Sequence, residues 1–318
     1  MQTKQLGTTD MSLTRIGFGS WAVGGGKWIA GWGAQDDTQS IAAIHKALDL
    51  GINWIDTAAV YGLGHSEEVV ARALKGRAHK PYVFTKCSTV WNDQRELSQN
   101  LKAESLRREV ENSLRRLQTD VIDLYQIHWP SPDPDIEEGW STLAKFKEEG
   151  KVRYIGVSNF SVEQMERAMK VAPISSLQPP YSLIRHRIEQ EILPFCQKQS
   201  IGVIVYSPMQ SGLLTGAITP ERVKKFPEDD WRKRDQEFQE PRLSRTLQLV
   251  DLLREIGKEY GTSPGEVAIA WTLHHPAVTA AIVGARSPDQ VERNMGAVDL
   301  QLSQEEIERI ETFVRDNP

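Results

Sequence analysis

The sequence has little of what marks secreted, membrane-spanning or nucleic-acid-binding proteins. Only two cysteines occur in 318 residues, Cys87 and Cys196, so a disulfide framework is excluded. No apolar run approaches the roughly 20 residues that cross a bilayer. The first residues lack the apolar core of a signal peptide, and the formal net charge of -5 opposes a general nucleic-acid binder. These absences predict a cytoplasmic protein with neither a membrane nor a nucleic acid as its partner.

Motifs of several enzyme classes are also missing. There is no G-x-S-x-G sequence, so a serine hydrolase is unsupported. No cluster of His, Cys, Asp or Glu has metal-ligand spacing, which opposes a metal-dependent barrel hydrolase. Residues 17–22 (GFGSWA) match the dinucleotide pattern G-x-G-x-x-A, but the glycines at 24–26 oppose the helix that a Rossmann unit requires. We interpret this stretch as a strand followed by a loop that lines a cofactor.

The sequence does contain a repeated unit of a short apolar run, a loop and a helical pattern. The predicted strands are residues 16–19, 53–56, 82–86, 121–128, 152–158, 176–178, 201–206 and 280–283. Helical spacing is found in residues 39–50, 66–74, 104–117, 136–149, 162–171, 189–199 and 288–297. Each connection is long enough for a helical crossover, so the strands should be parallel. We predict an α/β fold, a (β/α)8 TIM barrel in a single domain over residues 1–318, with a doubly wound open sheet as the alternative.

Local signals refine this prediction. Residues 4–6 and 13–15 read as a short hairpin that precedes the barrel. A serine followed by Glu or Gln three residues later predicts capping boxes that begin at Ser161, Ser263, Ser287 and Ser303. Residues 210–242, after the seventh strand, are long, polar and without a clear period, which indicates either a functional lid or a disordered segment.

Polar side chains directly follow consecutive predicted strands. Asp56 ends the second strand and Tyr61 lies just beyond it, while Lys86 ends the third and His128 the fourth. Each alone has an ordinary structural explanation, such as a turn aspartate or a packed tyrosine. In a barrel, however, the carboxyl ends of the strands meet at one mouth, where active sites are found. The conjunction therefore favours a reaction centre.

The physical chemistry of this set points to one reaction. A phenol with a pKa near 10 is a poor acid at neutral pH, and a neighbouring ammonium should lower that pKa. The aspartate holds the ammonium in place, and the histidine supplies a second donor. Such a set suits protonation of a carbonyl oxygen while the carbon receives a hydride. None of these side chains can supply the hydride, so a nicotinamide cofactor is implied.

Several stretches resemble one known family. They are residues 17–21 (GFGSW), 56–58 (DTA), 61–62 (YG), 123–130 (DLYQIHWP), 156–160 (GVSNF), 206–208 (YSP) and 282–294, with Lys86 and Gln178. Over essentially its full length the chain resembles the aldo-keto reductase superfamily, in particular a bacterial branch related to potassium-channel β-subunits. The resemblance implies a (β/α)8 barrel, NADPH, and Tyr61 as the general acid, tuned by Lys86 and Asp56, with His128 orienting the carbonyl.

The resemblance also implies a set of cofactor-binding residues. They are Gly19, Ser20, Trp21, Asp56, Ser158, Asn159, Gln178, Tyr206, Ser207, Pro208, Met209, Gly212, Leu213, Gly284, Arg286, Gln290 and Asn294. Ser158, Asn159 and Gln178 would hold the nicotinamide carboxamide, and Tyr206 would stack on its ring. Ser207, Gly212 and Leu213 would follow the pyrophosphate, and Gln290 and Asn294 would face the adenine. Arg286 offers a planar fork for a phosphate, so NADPH is expected, with NADH as a weaker alternative.

Two functions are consistent with these expectations. The first is reversible NADPH-dependent reduction of a small aldehyde or ketone, with Trp21 and Trp129 as apolar walls of the substrate pocket. The second is a non-catalytic subunit that senses NADP(H). A monomer is the default expectation, because no exposed apolar stripe stands out.

Overall fold

The protein forms a closed barrel of parallel strands in a computed structural model, which describes residues 1–26 and 28–317. In chain order the strands are β1 (Thr3–Gln5), β2 (Ser12–Thr14), β3 (Ile16–Gly19), β4 (Trp54–Asp56), β5 (Tyr82–Cys87), β6 (Thr89–Trp91), β7 (Leu97–Gln99), β8 (Ile122–Ile127), β9 (Val152–Ser158), β10 (Ser176–Gln178), β11 (Gly202–Tyr206) and β12 (Val278–Gly284). The barrel runs β3, β4, β5, β8, β9, β10, β11, β12, and β12 pairs with β3 to close it. This closure confirms the predicted (β/α)8 barrel over the open sheet.

The predicted N-terminal hairpin is present as β1 and β2, which pair antiparallel. It closes the end of the barrel where the strands begin. Leu6 and Leu13 are completely buried there, against the inward-facing side chains of Trp54 and Phe84. The indole N–H of Trp54 donates to the carbonyl of Thr14 over 2.9 Å. Because this end is plugged, the opposite mouth is left for ligands.

Helices cover the outside of the barrel. They are α1 (Asp37–Asp49), α2 (His65–Leu74), α3 (Ala103–Leu117), α4 (Ile136–Glu148), α5 (Val162–Met169), α6 (Ile192–Lys198), α7 (Pro220–Lys224), α8 (Arg242–Tyr260), α9 (Pro264–His274), α10 (Pro288–Met295) and α11 (Gln304–Asp316). In α3, which matches the helical spacing predicted for residues 104–117, Leu106, Val110 and Leu117 are buried. Among the described residues, no helix is long and apolar enough to cross a membrane.

Three of the four predicted capping boxes form, at Ser161, Ser263 and Ser303. The prediction at Ser287 is wrong, because its side chain makes no cap hydrogen bond. The reason is local. Gln290, which would complete the box, instead accepts a hydrogen bond from the backbone N–H of Arg286 over 2.7 Å. The start of α10 is therefore built differently from the other three helices.

The structure contains elements that the sequence analysis missed. The hairpin β6–β7 follows β5, and the long helix α8 follows residue 242. Residues 210–242 are folded, with α7 and several 3-10 turns packed on a small apolar cluster. That cluster contains Leu213, Ile218, Val223, Phe226, Phe238 and Leu243. The disordered alternative for this segment is therefore wrong, and the missing period reflects turns too short to show one.

Candidate active site

Two charged side chains meet inside the mouth of the barrel. Asp56 ends β4, and Lys86 lies near the end of the neighbouring strand β5. The Nζ atom of Lys86 lies 2.5 Å from Oδ1 of Asp56, and both side chains are almost fully buried. The same ammonium donates to the carbonyl of Thr57 over 2.8 Å. Two acceptors thus hold the ammonium in one place, which offsets the cost of removing it from water.

Tyr61 reaches this ammonium from the loop after β4. Its hydroxyl lies 3.5 Å from Nζ of Lys86, and the ammonium lies 5.1 Å from the centre of the ring. A turn closed by the Tyr61 N–H on the carbonyl of Ala58 brings the ring back over the strand end. Gly62 follows with φ of 63°, and a Cβ there would strike Gly24 at 2.3 Å. The glycine allows this loop to pack closely against the loop after β3.

His128 completes the predicted set. Its backbone N–H donates to the carbonyl of Cys87 at the end of β5 over 3.0 Å. Its ring meets the ring of Tyr61 edge to face, with centroids 5.9 Å apart, and stacks on Trp129 at 6.1 Å. The structure therefore brings all four residues together around the phenol hydroxyl.

The environment changes the acidity of these groups. Burial, with the Asp56 carboxylate nearby, raises the pKa of the Tyr61 phenol well above 10. The expected lowering by the Lys86 ammonium is therefore not found, because burial outweighs it and the charge of Asp56 opposes it. Burial lowers the pKa of Lys86, although Asp56 opposes that shift, and burial together with Lys86 holds the pKa of His128 well below 6.5. At neutral pH the phenol is thus protonated and the imidazole uncharged.

The polar residues expected around the nicotinamide also cluster at this mouth. Gln178 donates from Nε2 to the second oxygen of Asp56 over 2.9 Å, which the sequence gave no sign of. Ser158 donates to the carbonyl of Gln178 at 2.7 Å, and Asn159 donates to the carbonyl of His128 at 3.0 Å. Tyr206 donates to the amide oxygen of Asn159 at 2.9 Å. Strands β9, β10 and β11 thus extend the site as one hydrogen-bonded set.

Comparison with known proteins assigns the chain to a family. The profile of the Aldo/keto reductase family matches residues 15–315. The chain belongs to this family. It is 40% identical over 317 residues to the aldo-keto reductase YhdN of Bacillus subtilis, covering 99% of this chain and 94% of that protein. It is 36% identical over 317 residues to the NADH-specific methylglyoxal reductase of Escherichia coli, covering 95% of each.

A solved structure supports the same assignment. The glycerol dehydrogenase of Gluconobacter oxydans superposes on this aldo/keto reductase with a TM-score of 0.90 and 39% sequence identity. The match covers 99% of this chain and 96% of that one. The structural likeness therefore extends over almost the whole chain.

In this aldo/keto reductase a short strap in the segment after β11, residues 230–232, lies against the loop after β3. Asp230 forms an isolated antiparallel bridge with Trp32, and the N–H of Trp231 donates to the carbonyl of Gly31 over 3.0 Å. The indole of Trp231 stacks on Trp21 with centroids 5.2 Å apart, and Trp21 stacks on Tyr61 at 6.3 Å. A row of aromatic rings therefore runs from the strap to the phenol. Sequence reasoning singled out Trp21 but not Trp231.

The segment expected to follow the pyrophosphate begins directly after β11. Ser207, Ser211 and Gly212 have positive φ, and the side chains of Pro208 and Leu213 are buried. Met209 packs partly buried against the main core. Arg232 on the strap donates to the carbonyl of Ser211 at 3.4 Å and pairs with the buried Asp230. This arginine beside the segment was also missed.

Among the residues expected near the end of β3, Ser20 is fully buried. Its hydroxyl donates to the carbonyl of Asp56 over 3.0 Å and accepts from Ser66. Ser20 therefore braces the strand end that carries Asp56. Gly19 pairs with Asp56 between β3 and β4 and with Gly284 between β12 and β3.

The residues expected near the adenosine lie around the end of β12. Gly284 is exposed, and a Cβ there would meet only the carbonyl of Gly19 at 3.6 Å, so the backbone borders open space. Arg286 is partly buried and contacts the loop after β3, as described below. Gln290 and Asn294 lie on α10, and Gln290 is engaged by the Arg286 backbone.

The end of β5 is also held from outside the barrel. Glu109 on α3 is buried and accepts hydrogen bonds from the Ser88 N–H at 2.8 Å and from the Ser105 hydroxyl at 3.2 Å. Ser88 in turn exchanges hydrogen bonds with the backbone of Trp129 at 3.3 and 3.4 Å. Burial raises the pKa of Glu109 to about 7. Through Ser88, the Glu109 side chain therefore links the residue that follows Lys86 and Cys87 to Trp129, the residue that follows His128.

Proposed function

We propose that this protein catalyses the reversible reduction of aldehydes or ketones to alcohols, with NADPH as the hydride donor. The observation that carries the proposal is the position of the Tyr61 hydroxyl, 3.5 Å from the buried Lys86 ammonium and beside the His128 ring. A proton donor, a positive charge and a neutral second donor then share one small volume. This is the arrangement that protonation of a carbonyl oxygen requires.

Tyr61 donates its proton to the carbonyl oxygen as the carbon is reduced. Its raised pKa keeps the proton on the phenol throughout the neutral pH range, so the general acid is protonated before each turnover. The phenolate left behind forms beside the Lys86 ammonium, whose charge favours it. Asp56 fixes that ammonium, and Gln178 fixes Asp56. His128, uncharged, donates a second hydrogen bond that orients and polarises the carbonyl.

A nicotinamide cofactor, when bound, supplies the hydride. The site residues fit such a group, because amide and hydroxyl groups of Ser158, Asn159 and Gln178 converge beside Asp56 and Tyr206 flanks them. Toward the other end, the open backbone at Gly284 suits a ribose and phosphate. We propose NADPH as the preferred cofactor and NADH as a weaker one. The NADH-specific relative, at 36% identity, makes this preference the first thing to measure.

The substrate pocket is proposed to have aromatic walls. Trp129 is 43% exposed and stacks on His128, and Trp21 stacks on Tyr61. Flat apolar surfaces beside the phenol and beside the imidazole favour carbonyl compounds with an apolar substituent over highly charged ones. We propose that the protein acts on these small molecules as a monomer.

The test is a turnover assay with the purified protein, NADPH and a panel of aldehydes and ketones, followed by loss of nicotinamide absorbance. Tyr61→Phe should lower kcat by roughly 10²–10⁴-fold, the usual contribution of a general acid, and leave cofactor binding unchanged. Tyr260→Phe is the matched control, because Tyr260 is exposed and its hydroxyl donates to Glu306. Tight NADPH binding without turnover of any carbonyl would instead favour the non-catalytic sensing subunit.

A further inference from the structure

A second polar cluster joins two distant parts of the chain at the rim of the barrel mouth. Nε of Arg286 donates to Oε1 of Gln35 over 2.6 Å, and Nη2 donates to the carbonyl of Ala34. Nη1 donates weakly to the carbonyl of Trp32 at 3.4 Å. In the opposite direction, Nε2 of Gln35 donates to the carbonyl of Arg286 at 3.1 Å and to the Ser40 hydroxyl at 3.0 Å. The two residues therefore hold each other.

The charge of this cluster is unbalanced. All three acceptors of the Arg286 guanidinium are neutral oxygens, and in the described part of the chain no carboxylate lies within ion-pair distance of it. Burial and the neighbouring Arg232 lower the pKa of Arg286, while Asp230 opposes the shift. A partly buried guanidinium without a carboxylate partner is a ready site for an anion.

The surroundings point to a phosphate. Arg286 follows β12 at the carboxyl end of the barrel, where ligands bind in this fold. The next residues begin α10, and the Ser287 hydroxyl caps none of its N–H groups. Gly284, two residues earlier, borders open space. An arginine without a carboxylate partner and an open backbone, beside a helix N-terminus that has no side-chain cap, together suit a phosphate on a ribose.

Gln35 limits how that phosphate can be bound. A guanidinium recognises an oxyanion best with two parallel N–H groups, and the Nε and Nη2 pair forms one such edge. Gln35 and Ala34 occupy that edge. A phosphate must therefore use the remaining edge or displace the Gln35 amide. A ligand that lacks this phosphate does not compete with Gln35 for the Arg286 guanidinium.

We propose that Gln35 is a specificity-determining residue that sets the ratio of NADPH to NADH binding by retaining the guanidinium of Arg286. This rests on the proposed function, since it assumes a nicotinamide dinucleotide in the groove. With Gln35 in place, the advantage of the 2′-phosphate is reduced and NADH remains acceptable. A substitution of Gln35 that releases the Arg286 guanidinium should increase the affinity gained from the 2′-phosphate. A carboxylate at position 35 should abolish that gain.

The test separates the phosphate from the rest of the cofactor. Adenosine 2′,5′-bisphosphate and adenosine 5′-monophosphate differ by that group alone, and their dissociation constants are measured by calorimetry on the folded protein. In Gln35→Ala the bisphosphate should bind roughly five- to tenfold tighter, because a charged acceptor replaces a neutral one at the free edge. In Gln35→Glu, where the new carboxylate pairs with Arg286, it should bind roughly tenfold weaker. The monophosphate should bind equally in both.

The control is Gln39→Ala, an exposed glutamine four residues away on α1. It should change neither dissociation constant. The proposal is overturned if Gln35→Ala weakens the bisphosphate, since Gln35 would then be preparing Arg286 for it, or if both variants leave the ratio unchanged. If the wild type binds neither NADP⁺ nor NAD⁺, the proposed function itself fails. Wild-type binding and turnover with an unchanged ratio in the variants defeat only the role of Gln35.

Discussion

Lys86 and Asp56 form an ion pair inside the barrel, 2.5 Å from Nζ to Oδ1, with 0% and 3% of the side chains exposed. The pair joins adjacent strands and lies under the phenol of Tyr61. Removing one partner of such a pair leaves a buried charge without compensation. The site is therefore expected to report on stability as well as on rate.

Asp56→Asn is expected to lower the free energy of unfolding by about 3–5 kcal/mol, because the ammonium loses its counter-charge in a buried position. Urea denaturation measures this. Asp251→Asn, which breaks an exposed pair with Arg254, is the control and should cost at most about 1 kcal/mol. Adding Lys86→Met to Asp56→Asn should recover part of the loss. Equal losses for the two aspartates would contradict the description of a stabilising buried pair.

Lys86→Met is expected to reduce kcat for carbonyl reduction by about 10²-fold or more, because the forming phenolate loses its positive neighbour. Burial lowers the pKa of Lys86 from 10.5, whereas that of Tyr61 is well above 10. As the pH rises, Lys86 therefore loses its proton at a lower pH than a free lysine does, and the wild-type rate should fall on the alkaline side. That decline should be absent in Lys86→Met. The exposed Lys102→Met should keep the wild-type profile, and an unaltered profile in Lys86→Met would refute the tuning role.

Glu109→Gln is expected to flatten the dependence of stability on pH. The carboxyl has a pKa of about 7 in the folded protein against an ordinary 4.5, so the native state binds the proton more tightly. The contribution of Glu109 to stability is therefore fully present below pH 4.5 and falls by about 3 kcal/mol as the pH rises to 7. Unfolding in urea at several pH values measures the slope.

In Glu109→Gln this contribution should vanish, while the Ser88 N–H keeps an acceptor in the amide oxygen. Glu104→Gln on the same helix is the control, since Glu104 is exposed and pairs with the exposed Arg108. A wild-type slope that survives in Glu109→Gln would show that another group carries it.

Trp231→Ala is expected to raise the KM for an aromatic aldehyde about five- to tenfold, because Trp21 loses a stacked neighbour worth about 1 kcal/mol or more. The effect on kcat should be smaller, since Tyr61, Lys86 and Asp56 keep their contacts. Trp231→Phe preserves a ring against Trp21 and should restore most of the affinity. Steady-state kinetics with both variants at saturating cofactor decides this, and equal KM values for alanine and phenylalanine would argue against the aromatic row.

The sequence by itself predicted the barrel, with an open sheet as the alternative, and it singled out the candidate reacting groups. In a barrel of parallel strands, Asp56, Lys86 and His128 at the carboxyl ends of their strands are expected at one mouth. The residues that hydrogen-bond to Asp56 could not be predicted from the strand pattern. Gln178 lies 122 positions from Asp56 along the chain, and Ser20 lies 36 away, with no pattern linking them.

The tertiary structure alone decided what depends on burial and on contacts between loops. The raised pKa of Tyr61 follows from burial, which outweighs the charge that the sequence suggested would lower it. The strap carrying Trp231 and the pair between Gln35 and Arg286, 251 residues apart, join irregular segments that have no period to read. Periodicity records which face of an element is buried, but it carries no information about which loop meets which. The candidate reacting groups could therefore be predicted from the strands, whereas the contacts that surround them were decided by how the loops pack.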